Sequence, residues 1–487
     1  MLTTRAGLGA LLVAAGCATN PATGARQLVL ISEGQELAMG LEADQAIVAS
    51  MGLDADSARQ RYVQELGTRL ARRSERPGLP WTFRVLDDPV VNAFALPGGY
   101  IYVTRGILAH LDSEAELAAV LGHEIGHVTA RHSVTRLSTQ QLTQLGLTVG
   151  VALEPGLQRY AALAAQGLGL LFLKFSRDDE RQADDLGLRY LRRTQYDPRE
   201  MPGVYVMLDR VGRSAGGDRL PDWLSTHPNP VDRRQRIERA VAALPPDSLG
   251  SVVNRAAYLR RLDGLVYGDN PREGFFRGGE FNHPDLRLRL VFPAGWKTAN
   301  QRQTVLAVSP QRDALVQLSL AREESPEAAA RAFFGQPGVS GIPGRLQIHG
   351  LPAAGGSFTA TADQAGGGGS ALAGTVAFVA YDSRVFQLLG YASQGRWAAY
   401  APAVERTIGS FDRLTDPAAL AVEPLRLDLV ALTRSMSLEE FAQRYPSAVP
   451  SATLALLNNV EPGGGEGARF AAGDLVKRVV GKPLPPP

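Results

Sequence analysis

The chain has 487 residues, 45% of them hydrophobic and 21% charged, which is too long for one ordinary core and apolar enough to build two or three. Lysine plus arginine number 51 against 49 for aspartate plus glutamate, and the net charge of +2 is too even to argue for nucleic acid or an anionic surface as partner.

The single cysteine, Cys17, directly follows the apolar run Leu8 to Ala15, which is preceded by one basic residue, Arg5, and is too short to span a bilayer. With Ala14, Ala15 and Gly16 before it, residues 1–17 resemble a bacterial lipoprotein signal, in which Cys17 becomes the lipidated first residue of the mature chain. Ala14 stands where leucine is usual, so an ordinary cleaved signal is the alternative. Ala18 in place of an aspartate resembles the pattern that directs such lipoproteins to the outer membrane. The lack of any other cysteine suits a location outside the cytoplasm. Residues 18–35 then read as a Pro/Gly/Asn-containing tether.

A helical period runs through Ala38, Ala43 and Ile47 and again through Tyr62, Leu66 and Leu70. Strands are expected at 83–86 and 100–103, flanking the loop Ala95-Leu96-Pro97-Gly98-Gly99. Ser113 and Glu116 have the spacing of a capping box for a helix running past His127. Helix-rich sequence continues to about 243, so 36–243 reads as one mainly α domain with a small β-sheet. Within it, the apolar stretch 161–175 is only about 15 residues long and contains Gln166 and Lys174, so it reads as a buried or cleft-covering helix. Residues 244–279 form a linker region around a short helix at 254–265. Strands at 288–292, 314–320, 374–381 and 385–389, with helices at 326–334 and 399–408, make 280–413 an α+β domain. Its Gly366 to Gly369 run is a hairpin loop, because no lysine or helix start follows it. Residues 414–487 read as a small terminal unit with a Pro-rich tail.

The chemistry lies in His123-Glu124-Ile125-Gly126-His127, an H-E-x-x-H inside the helix that Ser113 opens. The two histidines lie about 40° apart on a helix and one turn displaced, so both imidazoles reach one ion. Zinc favours nitrogen ligands in tetrahedral geometry, and a catalytic site keeps a position for water, so a third protein ligand is needed. Glu124, about 100° round the helix, is near enough to take a proton from that water without being a ligand. His132 lies about 180° from His123 on a continuous helix, so it reads as structural or supporting. The segment Ser176 to Asp185 holds five carboxylates at a helix start, where the helix dipole favours them in any case, and spacing does not choose among them.

H-E-I-G-H-V-T-A-R-H, then E-R-Q-A-D-D-L-G, then S-T-H-P in this order resemble the CAAX-prenyl-protease-type zinc metallopeptidases, a gluzincin family, and within it the bacterial periplasmic BepA-like lipoprotein branch. The resemblance covers about 20–237 and implies a zincin-like fold for 36–243 with one zinc per chain. It implies Glu180 as third ligand, Asp184 as the group orienting a zinc-bound histidine, and His227 of the H-P motif as a catalytic or gating residue near the metal. Arg233 matches the arginine of that last motif, and Asn92-Ala93-Phe94 matches the approach to an edge strand that holds substrate by strand addition. The α+β domain faintly resembles PsbP, and Ser437 to Ala442, Leu457-Asn458 and Gly473-Asp474 resemble a degenerate LysM motif, against the alternative of a plain helical cap.

These readings imply a zinc endopeptidase of the periplasm, lipid-anchored to the outer membrane of a Gram-negative bacterium, with unfolded or misassembled envelope proteins as substrates. The LysM-like motif adds contact with peptidoglycan, and nothing points to nucleic acid. The alternative is a chaperone-like or peptidoglycan-associated lipoprotein that retains the zinc site. Prenyl-peptide processing is disfavoured, because the chain lacks the multiple spans that enclose a lipid substrate.

Overall fold

The computed structural model describes residues 17–144, 175–214, 227, 230–361, 371–461 and 469–484. The chain divides into two units, residues 1–269 with 425–480, and residues 270–424 with 481–487. Along the sequence, the second is inserted into the first.

The first unit opens with a hairpin of β1 (Cys17–Thr19) and β2 (Arg26–Leu28), whose connecting turn is held by the Asn20 carboxamide oxygen accepting from the backbone N–H of Ala22 and Thr23. Where a free tether is expected over 18–35, Val29 and Ile31 are buried against Val134, since apolar residues at this spacing gain by leaving water. Helices α1 (Glu33–Met51) and α2 (Ser57–Ala71) follow, α1 closed at its start by a capping box between Ser32 and Gln35. Strands β3 (Thr82–Leu86), β4 (Ala93–Leu96) and β5 (Tyr100–Thr104) pair in the order β3-β5-β4, β3 parallel and β4 antiparallel to β5. Their period of two sends Phe83, Val85, Ile101 and Val103 into the main core, and Leu86, Phe94 and Tyr102 to a second cluster with Ala43 and Ile47 of α1.

A short α3 (Arg105–His110) leads to α4 (Glu114–Thr129), every residue of which is buried. Ser113 caps α4 by accepting from the Glu116 N–H at 3.1 Å, but only half of the expected capping box forms. The Glu116 carboxylate turns instead to the backbone N–H of Asp112. The helix does not continue to His132: Arg131 takes a left-handed φ of 60°, and a new helix, α5 (His132–Gln144), starts after it. Helices α6 (Arg177–Arg193), α7 (Met201–Ser214), α8 (Pro230–Ala242) and α9 (Arg255–Arg261) complete this part. Where α4 crosses α6, Gly122 faces Gly187, and a Cβ on Gly187 would stand 3.1 Å from the His123 backbone nitrogen. The stretch 161–175 lies outside the described residues except for Phe175. Among the described residues, no helix is long and apolar enough to cross a membrane.

The second unit holds two antiparallel sheets. Strands β6 (Phe275–Arg277), β7 (Glu280–His283) and β8 (Leu288–Val291) pair with β17 (Asp412–Arg413) in the order β17-β8-β7-β6. The larger sheet comprises β9 (Lys297–Gln301), β10 (Thr304–Val308), β11 (Ala314–Leu320), β12 (Val339–Gly341), β13 (Gly344–Ile348), β14 (Leu351–Thr361), β15 (Ala371–Tyr381) and β16 (Arg384–Ser393). Its order is β12-β14-β15-β16-β11-β10-β9, with β13 also on β14. Alternate residues of β15 serve opposite faces: Val376 and Phe378 pack with Ala329 and Ala330 of α10 (Pro326–Phe334), Ala377 and Val379 with Val404 and Ile408 of α11 (Trp397–Gly409). A short α12 (Pro417–Leu420) ends the unit, and Gly366 to Gly369 lie outside the described residues.

The chain then re-enters the first unit, where the Tyr267 N–H donates to the Leu425 carbonyl at 2.8 Å. β18 (Arg426–Ala431) pairs antiparallel with β21 (Leu475–Val480), and between them come β19 (Met436–Ser437), α13 (Leu438–Arg444), α14 (Ser451–Leu457) and β20 (Arg469–Phe470). A terminal unit separate from 414 onward is therefore not what forms. Residues 425–480 join the first unit because Leu427, Leu457 and Val479 enter its main core. The ammonium of Lys477, fully buried, donates to the carbonyls of Ala109 and Leu111 at 3.0 Å each.

Candidate metal centre

Helix α4 presents His123, Glu124 and His127 to the N-terminal half of α6, and the glycine-to-glycine crossing of the two helices lets Glu180 reach the histidines. Ligating atoms of His123, His127, Glu180 and His227 all lie within 4.8 Å of one another, and all four residues are buried. The Nε2 atoms of His123 and His127 are 3.0 Å apart. Glu180 stands 3.6 Å from the first and 3.5 Å from the second, and His227 Nδ1 is 2.8 Å from Glu180.

Asp184, one helical turn beyond Glu180 on the same face of α6, decides which nitrogen of His123 is free. Its carboxylate lies 3.0 Å from His123 Nδ1. Burial alone would raise its pKa, but the Arg233 guanidinium and the His123 hydrogen bond hold it well below the ordinary range, so it acts as an acceptor only. Asp184 is the nearer partner of His123 Nδ1, at 3.0 Å against 3.2 Å for Arg233 Nη2, which favours the proton on Nδ1 and a lone pair on Nε2, the atom that faces His127. A pair of imidazole nitrogens so placed, beside a carboxylate, suits a cation. Two tetrahedral ligands at about 2.05 Å from a zinc-sized ion would be about 3.3 Å apart, close to the separation here. Neither carboxylate oxygen of Glu124 has a hydrogen-bond partner among the described residues, although the residue is 1% exposed. Burial holds its carboxyl above the ordinary range, against the pull of His227 and His123. The residues present fit a metal ion with a water molecule beside Glu124.

The helix start of α6 sorts its five carboxylates by direction. Asp178 is exposed, Asp179 caps Ser176 and pairs with Arg136 at 2.7 Å, and Asp185 pairs with Arg236 at 2.6 Å. Only Glu180 and Asp184 turn inward. Burial opposes the charge on Glu180, but His227 and Arg233 outweigh it and keep the carboxylate ionised. Arg233 from α8 ties the two acids together, at 2.6 Å from Glu180 and 2.5 Å from Asp184. Burial would push the His227 imidazole down, yet the adjoining Glu180 carries it upward. Its Nε2 also lies 3.8 Å from Glu124.

Several neighbours carry no signal in the sequence. The Tyr205 hydroxyl of α7 donates to Asp184 at 2.6 Å, and its ring lies 4.9 Å from the Arg233 guanidinium carbon. The Phe175 ring lies 4.0 Å from that of His127. His132, expected on the far side of a continuous helix, comes back to 2.9 Å from His127 Nδ1 because of the break at Arg131. Asn92 immediately precedes β4, and Ala93 and Phe94 are its first two residues; β4 lies at one edge of its sheet and packs on α4.

The sequence model of peptidase family M48 matches residues 57–241, a span that contains all of these site residues. Residues 57–241 belong to peptidase family M48. This M48 domain is 40% identical over 175 residues to the mitochondrial metalloendopeptidase OMA1 of Arabidopsis thaliana, covering 35% of this chain and 33% of that one. Identity is 32% over 251 residues to the beta-barrel assembly-enhancing protease of Yersinia pestis, covering 49% of this chain and 50% of the relative. With the same protease of Escherichia coli K12 it is 32% over 212 residues, covering 42% and 43%. The chain thus spans between a third and a half of the length of these curated relatives. Among solved structures, cyanobacterial PsbP from Synechocystis aligns at 8% identity and a TM-score of 0.21, covering 28% of this chain and 91% of that one. At that score the likeness supports no argument about the second unit.

Proposed function

We propose that this chain is a zinc-dependent endopeptidase of the bacterial cell envelope that degrades misfolded or misassembled envelope proteins. The observation that carries the reading is the convergence of His123, His127 and Glu180 beside a buried Glu124 carboxylate that makes no hydrogen bond within the described protein. Zinc held by these three side chains would supply a Lewis acid that polarises the scissile carbonyl and acidifies a water molecule. Glu124 would accept the proton of the attacking water, burial strengthening its hold on a proton, and deliver it to the leaving amine. His227, 2.8 Å from Glu180 and 3.4 Å from His123, would either close the fourth side of the cluster at rest or assist the transition state. Asp184 and Arg233 keep His123 and Glu180 in orientation. The outer edge of β4, which Asn92 precedes and Ala93 and Phe94 begin, is where an extended peptide would add as a further strand. Names of the relatives point the same way: beta-barrel assembly-enhancing protease suggests substrates in the outer membrane, and a lipidated Cys17 would hold the enzyme there.

A second reading is a peptidoglycan-associated or chaperone-like lipoprotein that keeps the metal site. It is favoured by the strand-helix-helix-strand order of β18, α13, α14 and β21, which supports the LysM-like resemblance. Glu124→Gln separates the two. For the protease, cleavage of an unfolded protein falls by at least about 10²-fold while zinc content is unchanged. Equal cleavage by both purified forms would sink the mechanism. Full complementation of a deletion strain by Glu124→Gln, with co-sedimentation on peptidoglycan, would favour the second reading.

A further inference from the structure

We infer that the N-terminal hairpin is a working part of the metal centre: Asn20 ends a hydrogen-bond chain through Gln182 and His132 that orients His127 with its Nε2 toward the donor cluster. The inference rests on the metal-site reading above. The N–H groups of Ala22 and Thr23 point at one end of the Asn20 carboxamide, at 2.8 and 3.3 Å, so that end is the oxygen. Nδ2 must therefore be the other end, and it reaches the Ala130 carbonyl at 3.3 Å, Gln27 Oε1 at 3.1 Å and Gln182 Oε1 at 3.2 Å.

A donor on Asn20 requires an acceptor on Gln182, which fixes the Gln182 amide with its oxygen inward. The same oxygen lies 2.8 Å from His132 Nε2, which must then be the N–H. A neutral imidazole that donates from Nε2 accepts at Nδ1, and His132 Nδ1 is 2.9 Å from His127 Nδ1. His127 is thereby left with its proton on Nδ1 and its lone pair on Nε2, the atom that faces His123 and Glu180. His127 thus receives from β1 and its turn what His123 receives from Asp184. His132 and Gln182 are positioning residues, and Asn20 sets the polarity of the chain. The break at Arg131 is what brings His132 into line.

Asn20→Asp tests the polarity, because it keeps the oxygen that Ala22 and Thr23 need and replaces the donor with an acceptor. Gln182 would then flip so that its NH2 takes the place of the oxygen, donating one hydrogen to the new carboxylate and the other to His132 Nε2; the protons of His132 and His127 would reverse, and His127 Nε2 would become an N–H. Zinc affinity of the full chain is measured by competition with a chromophoric chelator, alongside the thermal transition of the metal-free form. Asn20→Asp and Gln182→Met are expected to weaken zinc 10- to 100-fold, while Gln182→Glu, which keeps the acceptor, stays within about threefold of the parent. Unaltered affinity in Asn20→Asp and Gln182→Met, or an equal loss in Gln182→Glu, would overturn the inference. Should Asn20→Asp not fold, the Gln182→Met and Gln182→Glu pair decides alone. A parent chain that takes up no zinc would overturn the metal-site reading, and this inference with it.

Discussion

At the scale of single residues, the centre depends on buried acids whose charge states are set by their partners. Glu180 and Asp184 are held ionised by Arg233 and the histidines, against the burial that would neutralise them. Glu116, on the same helix α4 but outside the cluster of His123, His127, Glu180 and His227, is the opposite case. Burial first and the neighbouring Asp112 charge second push its carboxyl up to about 8 from the ordinary 4.5. The folded state therefore binds a proton that the unfolded chain releases between those values, so this contribution to stability is complete at low pH and is lost as pH rises through 8. Glu116→Gln keeps an acceptor for the Asp112 N–H and cannot ionise. Its advantage over the parent in thermal unfolding should be small at pH 5 and grow to on the order of a few kcal/mol by pH 8.5. A difference that does not change with pH would show that Glu116 is already charged in the native state.

At the scale of elements, what distinguishes this site is how closely α4 and α6 approach. A Cβ at Gly126 would stand 3.0 Å from the Ala183 carbonyl oxygen, and one at Gly187 3.1 Å from the His123 nitrogen, in both cases against backbone that cannot rotate aside. Glycine is used here for proximity and not for a special φ, since neither position is left-handed. Gly187→Ala should force the helices apart by a few tenths of an ångström, destabilise the fold by about 1–3 kcal/mol, and weaken metal binding by withdrawing Glu180 from the histidines. Chemical denaturation and chelator competition measure the two effects separately. A variant with unchanged metal affinity would mean that Glu180 follows the histidines through side-chain adjustment alone.

At the scale of the whole molecule, the sequence returns to its first unit after an insertion of about 155 residues, 270–424. The returning segment does more than cover apolar surface. Lys477 reaches Asp112 at 3.0 Å, next to Ser113, the residue that caps the H-E-x-x-H helix. Asp112 also receives Arg255 at 3.1 Å and Asn459 at 2.9 Å, so the start of α4 is held by residues more than a hundred positions apart in sequence. Lys477→Met keeps the volume and removes the charge and its hydrogen bonds to Ala109 and Leu111. We expect a loss of about 3 kcal/mol in the first unit, read by denaturant unfolding, because two buried carbonyls lose their donor and Asp112 loses one of its cations. A loss below about 0.5 kcal/mol would mean that the segment is held by apolar contact alone.

Local patterns were enough to mark the site's axis. H-E-x-x-H on a helix is a statement about 3.6-residue geometry, so His123, Glu124 and His127 were legible as a set from their spacing, as were the alternating strands of the α+β unit. Glu180, Asp184 and His227 could be chosen only through family resemblance, since nothing local distinguishes an inward carboxylate from an outward one in Ser176 to Asp185. Tertiary structure made that choice, because burial against α4 and pairing with Arg233 depend on residues some fifty positions away. It also broke the expected continuous helix at Arg131, which brings His132 against His127 in a supporting place, and it put 425–480 with the first unit. Spacing along one helix is local and therefore readable. Which distant groups share a buried charge network, and which end of the chain supplies a lysine to it, is settled only when the core closes and water is excluded.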